Sequence, residues 1–144
     1  MRVLVQRSGK ASVSVDEKVI GSIPEGLVIL VGFTEGDNLE KIEYLAKKVV
    51  NLRIFPDENG VMNKSILDFG GSVLSISQFT LYADTKKGNR PSYINALGGD
   101  KAVELYNQFN EELRKYVDVA TGEFGADMIV SITNIGPTTI LLER

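Results

Sequence analysis

The sequence predicts an α+β fold: a single strand-rich domain over residues 1–144, built as a curved antiparallel sheet or barrel with two helices packed on it. Three observations predict it. The opening residues alternate with a period of two, a continuous apolar run follows, and two later stretches carry apolar residues at helical spacing.

Val3, Val5 and Arg7 alternate with Leu4, Gln6 and Ser8, and Ala11, Val13 and Val15 then alternate with Ser12 and Ser14. That pattern marks a half-buried strand. Asp16-Glu17-Lys18 turns the chain into Val19–Ile23, which gives a hairpin, and Pro24-Glu25-Gly26 forms the next turn. The run Leu27–Phe33 is apolar throughout, as expected of a central strand covered on both faces. A first helix begins near Asp37-Asn38, either of which can cap it. Its stripe is Leu39, Ile42, Leu45, Ala46, Val49 and Val50. Arg53-Ile54-Phe55 reads as a short strand that stops at the turn cluster Pro56–Gly60. After Gly70-Gly71, Ser72–Phe79 returns to strand alternation. A second helix begins around Gly99-Asp100 with the stripe Ala102, Val103, Tyr106, Phe109, Leu113 and Val117. Met128–Thr133 and Thr138–Leu142 give two last strands, separated by Asn134-Ile135-Gly136-Pro137.

Two absences narrow the chemistry. The chain has no cysteine, which excludes disulfides, thiolate nucleophiles and thiolate-held metals. It has no histidine, which removes the usual base near neutral pH and the Ser-His-Asp triad. Asp57, Glu58, Asp68, Asp84 and Asp127 show no metal-site spacing, so no metal and no cofactor are expected. The longest apolar runs are too short to cross a bilayer, and no extended apolar segment follows the N-terminus. No membrane partner and a cytoplasmic location are the expectation. The net charge of −3 argues against a large nucleic-acid footprint, although a local basic patch still suffices for a small one.

Two stretches carry more than their secondary structure requires. In Ser77–Asp84 a strand ends in hydroxyl and amide groups, and a loop follows with Lys86, Lys87 and Arg90. A strand end of this kind can offer backbone N–H groups to an oxyanion, and the loop can meet phosphate. The plainer alternative is an ordinary strand end with a solvated loop. In Asn134–Thr139 the local pattern alone suggests a turn with a trans Gly-Pro bond, because only about 5–6% of X–Pro bonds are cis.

Together these stretches resemble the signature motifs of the D-aminoacyl-tRNA deacylase family. Ser77-Gln78-Phe79-Thr80-Leu81 matches one motif without change, and Asn134, Gly136, Pro137 and Thr139 match the other. The resemblance also covers Val5-Gln6-Arg7, Ala11–Val13, Arg53–Phe55, Met62-Asn63, Gly70–Leu74, Arg90–Ser92 and Thr121–Met128, in the family's order. The chain departs from the family's pattern at Ile135, where many members are acidic, and at Thr138, where Val is common.

The resemblance implies hydrolysis of the ester that joins D-amino acids, and mischarged glycine, to the 3′-terminal ribose of tRNA. It implies a homodimer with aminoacyl-tRNA as substrate and the active site at the interface. A cis Gly136-Pro137 would reach into the partner's pocket, where its carbonyls hold the α-amino group and leave no room for an L side chain. Arg7 would brace that element. Ser77, Gln78, Phe79 and Thr80 would form the catalytic end, with N–H groups near Phe79 and Thr80 as oxyanion donors. Phe124 and Met128 would line the pocket, with core packing as the alternative. Lys86, Lys87 and Arg90 would meet acceptor-end phosphates. A non-catalytic RNA-binding module is the competing class, and it predicts tRNA binding indifferent to the attached amino acid. A purely structural dimer is the third.

Overall fold

The computed structural model describes all residues 1–144. The chain runs β1 (Arg2–Val15), β2 (Lys18–Ile23), β3 (Gly26–Gly32), α1 (Leu39–Asn51), β4 (Phe55–Pro56), β5 (Met62–Lys64), α2 (Ile66–Phe69), β6 (Ser72–Ser77), a 3-10 turn (Phe79–Tyr82), α3 (Gly99–Arg114), β7 (Val119–Thr121) and β8 (Ile129–Glu143).

β1 is the spine. Its first half pairs with β3 and its second half with β2, while β8 runs antiparallel along its other side from Ser14↔Ile129 to Arg2↔Glu143. The main sheet runs β2-β1-β3-β6-β7. It curls until its ends approach: a Cβ on Gly21 of β2 would sit 2.7 Å from the Thr121 carbonyl oxygen of β7. The result is a nearly closed barrel.

The curl creates two cores and explains the apolar run of β3. Leu27, Ile29 and Val31 face the helices, where they meet Ile42, Leu45 and Val49 of α1 and Phe109 and Leu113 of α3. Val28 faces the barrel interior with Val13, Ile23, Leu74 and Ile76. A strand buried on both faces has no polar side to alternate. Each such side chain contributes about 1.5–3 kcal/mol on leaving water.

The turns follow their residues. Asp16 and Glu17 take positive φ angles of 48° and 66°, which suits a two-residue hairpin. Asn38 is the α1 cap and accepts from the Lys41 N–H. Asp37, the other candidate, is instead buried, and it holds the Met1 ammonium at 2.6 Å and the Thr34 N–H at 2.8 Å.

Several expectations are corrected. The sheet is mixed rather than antiparallel, because β3–β6 and β6–β7 are parallel. Each of these joins passes over a helix, and a helical crossover returns the chain to the same end of the sheet. There are three helices, not two. The extra one, α2, has a reciprocal Ser65–Asp68 capping box, but it is too short to show a periodic stripe. The strand expected at Arg53–Phe55 is the two-residue β4, paired with β5. Val117 lies beyond α3 but still packs on the core. The two final strands are one, β8, continuous through Asn134–Pro137.

Candidate functional site

β6 stops at Ser77, two residues short of the expected Phe79, because the chain tightens into the 3-10 turn. The turn is fastened to β3. The Gln78 N–H donates to the Val31 carbonyl at 2.7 Å. A Cβ on Gly32 would lie 2.8 Å from the Gln78 oxygen, so only glycine lets β3 approach this closely. No side chain caps the N-terminus of the turn, and the first N–H groups of a helix have no acceptor within it. Here those groups belong to Phe79 and Thr80.

Beside the turn lies a cavity of about 290 Å³. Ser77, Gln78 and Phe79 line one side, and Phe124, Asp127 and Met128 from the β7–β8 connection line the other. Asp127 is its only ionisable side chain. Met128 lies across Gly122, where a Cβ would meet its sulfur at 2.5 Å. Phe124 rests against Tyr106 with ring centres 5.9 Å apart, and the Tyr106 hydroxyl donates to the Ser75 carbonyl at 2.7 Å. Burial raises the Tyr106 pKa above the usual phenol value.

Thr80 is exposed and does not line the cavity. Its hydroxyl accepts from the Gln78 amide at 2.6 Å. No histidine exists to activate it, and no three carboxylates converge to hold a metal. Phe79 is exposed and meets Tyr93 edge-on at 5.0 Å. Tyr93 thus packs on a cavity-lining ring, but nothing in its local sequence marks it apart from other loop aromatics. Lys86, Lys87 and Arg90 are exposed on a loop drawn shut by the Asp84–Ser92 bridge.

The second motif lies elsewhere. β1 and β8 are out of register between Gln6↔Thr139 and Ser8↔Asn134, so residues 135–138 form a bulge. Asn134 ties its base by donating to the Arg7 and Thr138 carbonyls, both at 3.0 Å. The Thr139 hydroxyl donates to the Pro137 carbonyl at 3.0 Å. These bonds give the Asn-x-Gly-Pro-x-Thr spacing a physical reason: both flanking side chains close the bulge. The Gly136-Pro137 bond is cis, not the trans bond that the local pattern alone favours, and Gly136 has a φ of 114°. Arg7 lies beneath it. One guanidinium nitrogen donates to the Ile54 carbonyl at 2.6 Å, another lies 3.0 Å from where a Gly136 Cβ would be, and its Nε is buried without a partner.

Eight of the predicted residues thus fall into two groups, with Thr80, Lys86, Lys87 and Arg90 outside both. Ser77, Gln78, Phe79, Phe124 and Met128 meet at the cavity, whereas Gly136 and Pro137 lie over Arg7, which pairs with Leu27 toward the other end of β3 from Gly32. Leu27 and Gly32 are five residue steps apart along the strand, roughly 16 Å. Within one chain the two groups do not meet.

The sequence model of the family described as D-Tyr-tRNA(Tyr) deacylase matches residues 4–143. The "D-aminoacyl-tRNA deacylase" of Clostridium botulinum (strain Langeland / NCTC 10281 / Type F) is 58% identical over 144 residues, covering 99% of this chain and 97% of the relative. The protein of the same name from Clostridium novyi (strain NT) is 55% identical with the same coverage. A solved structure titled "c-Myc DNA Unwinding Element Binding Protein" superposes with a TM-score of 0.95 at 40% identity, covering 100% of this chain and 99% of that one. A structure titled as a probable eukaryotic D-amino acid tRNA deacylase gives 0.84 at 17% identity, covering 98% and 97%, and shares the fold.

Proposed function

The chain belongs to the D-Tyr-tRNA(Tyr) deacylase family and is a D-aminoacyl-tRNA deacylase, a hydrolase of the aminoacyl-tRNA ester bond, and on that premise we propose how it distinguishes its substrates. The working unit is a homodimer in which the Gly136-Pro137 bulge of one protomer enters the partner's cavity. The carbonyl oxygens of Gly136 and Pro137 accept from the substrate's α-amino group. A D side chain then points into free space, an L side chain meets backbone, and glycine has nothing to reject. Such a filter works by repelling the wrong enantiomer and tolerates many side chains.

The observation that carries this reading is that the two groups stand apart within one chain: Arg7, beneath the bulge, pairs with Leu27, roughly 16 Å along β3 from Gly32 at the cavity. A two-fold partner joins two incomplete sites reciprocally. The outer face of β8 supports it, with Ile129, Ile135 and Leu141 exposed along the strand that carries the bulge. Loop residues Lys86, Lys87 and Arg90 meet acceptor-end phosphates, and Phe124 and Met128 wall the amino-acid side. No helix is long and apolar enough to cross a membrane, and the substrate fits a cytoplasmic setting.

In the chemical step water adds to the ester carbonyl. The resulting oxyanion is held by the Phe79 and Thr80 N–H groups, and the bond to ribose then breaks with its oxygen taking a proton. The ester is already activated, so positioning and oxyanion stabilisation suffice without histidine or cysteine. Ser77 and Gln78 shape the adenosine end.

Hydrolysis of matched D-, L- and glycyl-tRNA by the purified, metal-free protein tests the filter. Rapid loss of the D and glycyl esters with the L ester intact is expected, and equal loss of both enantiomers refutes the filter. Thr80→Ala should lower single-turnover rates only about fivefold, the worth of roughly one hydrogen bond. Complete loss of turnover in a folded Thr80→Ala protein, with an acyl-enzyme trapped in the wild type, would instead make Thr80 the nucleophile.

A further inference from the structure

We propose that Arg2 is a positioning residue for the reaction: it clamps the 3-10 turn that presents the Phe79 and Thr80 N–H groups. The proposal rests on the reading of that turn as the oxyanion site.

Three contacts carry it. Arg2 stands between two strands, opposite Gly32 of β3 and opposite Glu143 of β8. Its Nε donates to the Glu143 carboxylate at 2.5 Å. Its Nη1 donates to the Leu81 carbonyl at 2.7 Å, and the guanidinium carbon sits 4.6 Å from the centre of the Tyr82 ring. One planar group thus grips a carbonyl and a ring from consecutive residues of the turn, while β8 holds its other edge. Burial pushes the Tyr82 phenol up to about 12, so the ring under the cation stays neutral.

The turn needs such a clamp. Gln78 fixes its start on β3, but no side chain caps it, and Thr80 and Phe79 are exposed. Arg2 fixes its far end. Oxyanion donors work only when aimed beforehand, and a shift of about 1 Å can cost up to about a hundredfold in rate. Lysine cannot replace this grip, because a point charge cannot hold a carboxylate, a carbonyl and a ring face together.

The test compares Arg2→Met, Arg2→Lys and Glu143→Gln with the wild-type enzyme on D-tyrosyl-tRNA. The readouts are kcat, KM, thermal midpoint and the amide resonances of Phe79, Thr80 and Leu81. Arg2→Met should lower kcat about tenfold with KM held within about twofold, and should move those resonances. Arg2→Lys should fall between Arg2→Met and wild type. Glu143→Gln, which loosens Arg2 without removing it, should show a smaller loss of the same kind, and it carries the comparison if Arg2→Met fails to fold. Unmoved resonances overturn the clamp, whatever happens to kcat. Moved resonances with unchanged kcat overturn the assignment of chemistry to this turn, and the proposal with it.

Discussion

Replacing Gly136 by alanine should lower turnover of D-aminoacyl-tRNA by about a hundredfold while leaving the chain folded. The φ of 114° lies where side chains are rarely tolerated, at a cost of about 1–3 kcal/mol. The added methyl would also stand 2.7 Å from the Thr138 hydroxyl, 2.9 Å from the Thr138 nitrogen and 3.0 Å from Arg7. Arg7 has little freedom to yield, since it is bonded to the Ile54 carbonyl. The bulge itself must shift, and its two carbonyls with it. Because residues 135–138 lie outside the β1–β8 register and Gly136 is exposed, the strain stays local. Single-turnover kinetics with a parallel thermal melt separate the two effects. A D-specific rate within about fivefold of wild type would remove these carbonyls from substrate recognition.

Gly26→Ala should fail to give a folded protein at all. Gly26 opens β3 with a φ of 140°, and a Cβ there would lie 1.9 Å from the Ser72 carbonyl oxygen and 2.7 Å from the Ser72 nitrogen. Both atoms are backbone, in the first pair of the parallel β3–β6 ladder, and Gly26 is also paired with Ser8 of β1. No flexible group can absorb the overlap. The only relief is to part β3 from β6 beneath both cores. A loss above about 4–5 kcal/mol is the expected scale for such a lesion, against a total stability of about 5–15 kcal/mol for domains of this kind. Soluble yield and circular dichroism are the measurements. A soluble variant melting within about 5 °C of wild type would mean that the strands can separate more cheaply than this packing implies.

The site was legible to different depths. Ser77–Leu81 and Asn134–Thr139 could be singled out because hydroxyls, an amide and a Gly-Pro pair cluster where a strand needs none of them. β6 ends two residues before the alternation does, since a 3-10 turn and a strand end look alike in an apolar-polar string. Arg2 carried no signal: an arginine near a terminus reads as a solvated cation until the register puts it between Gly32 and Glu143 and over Tyr82. Tyr93 was hidden for the same reason, because its partner Phe79 is distant along the chain.

What the sequence determined alone was local and compositional. The absence of histidine and cysteine fixed which chemistries are closed. Period-two and helical spacing fixed the major elements, and the motif spacings fixed the family. These follow from the backbone's two periodicities and from the short reach of side chains along it. Only the tertiary structure decided that the sheet is mixed, that it curls to separate two cores, and that the bulge over Arg7 stands apart from the cavity within one chain. Those facts depend on which distant segments pair and in what direction. Non-local pairing is set by the burial of whole faces at once, which no short window of residues contains.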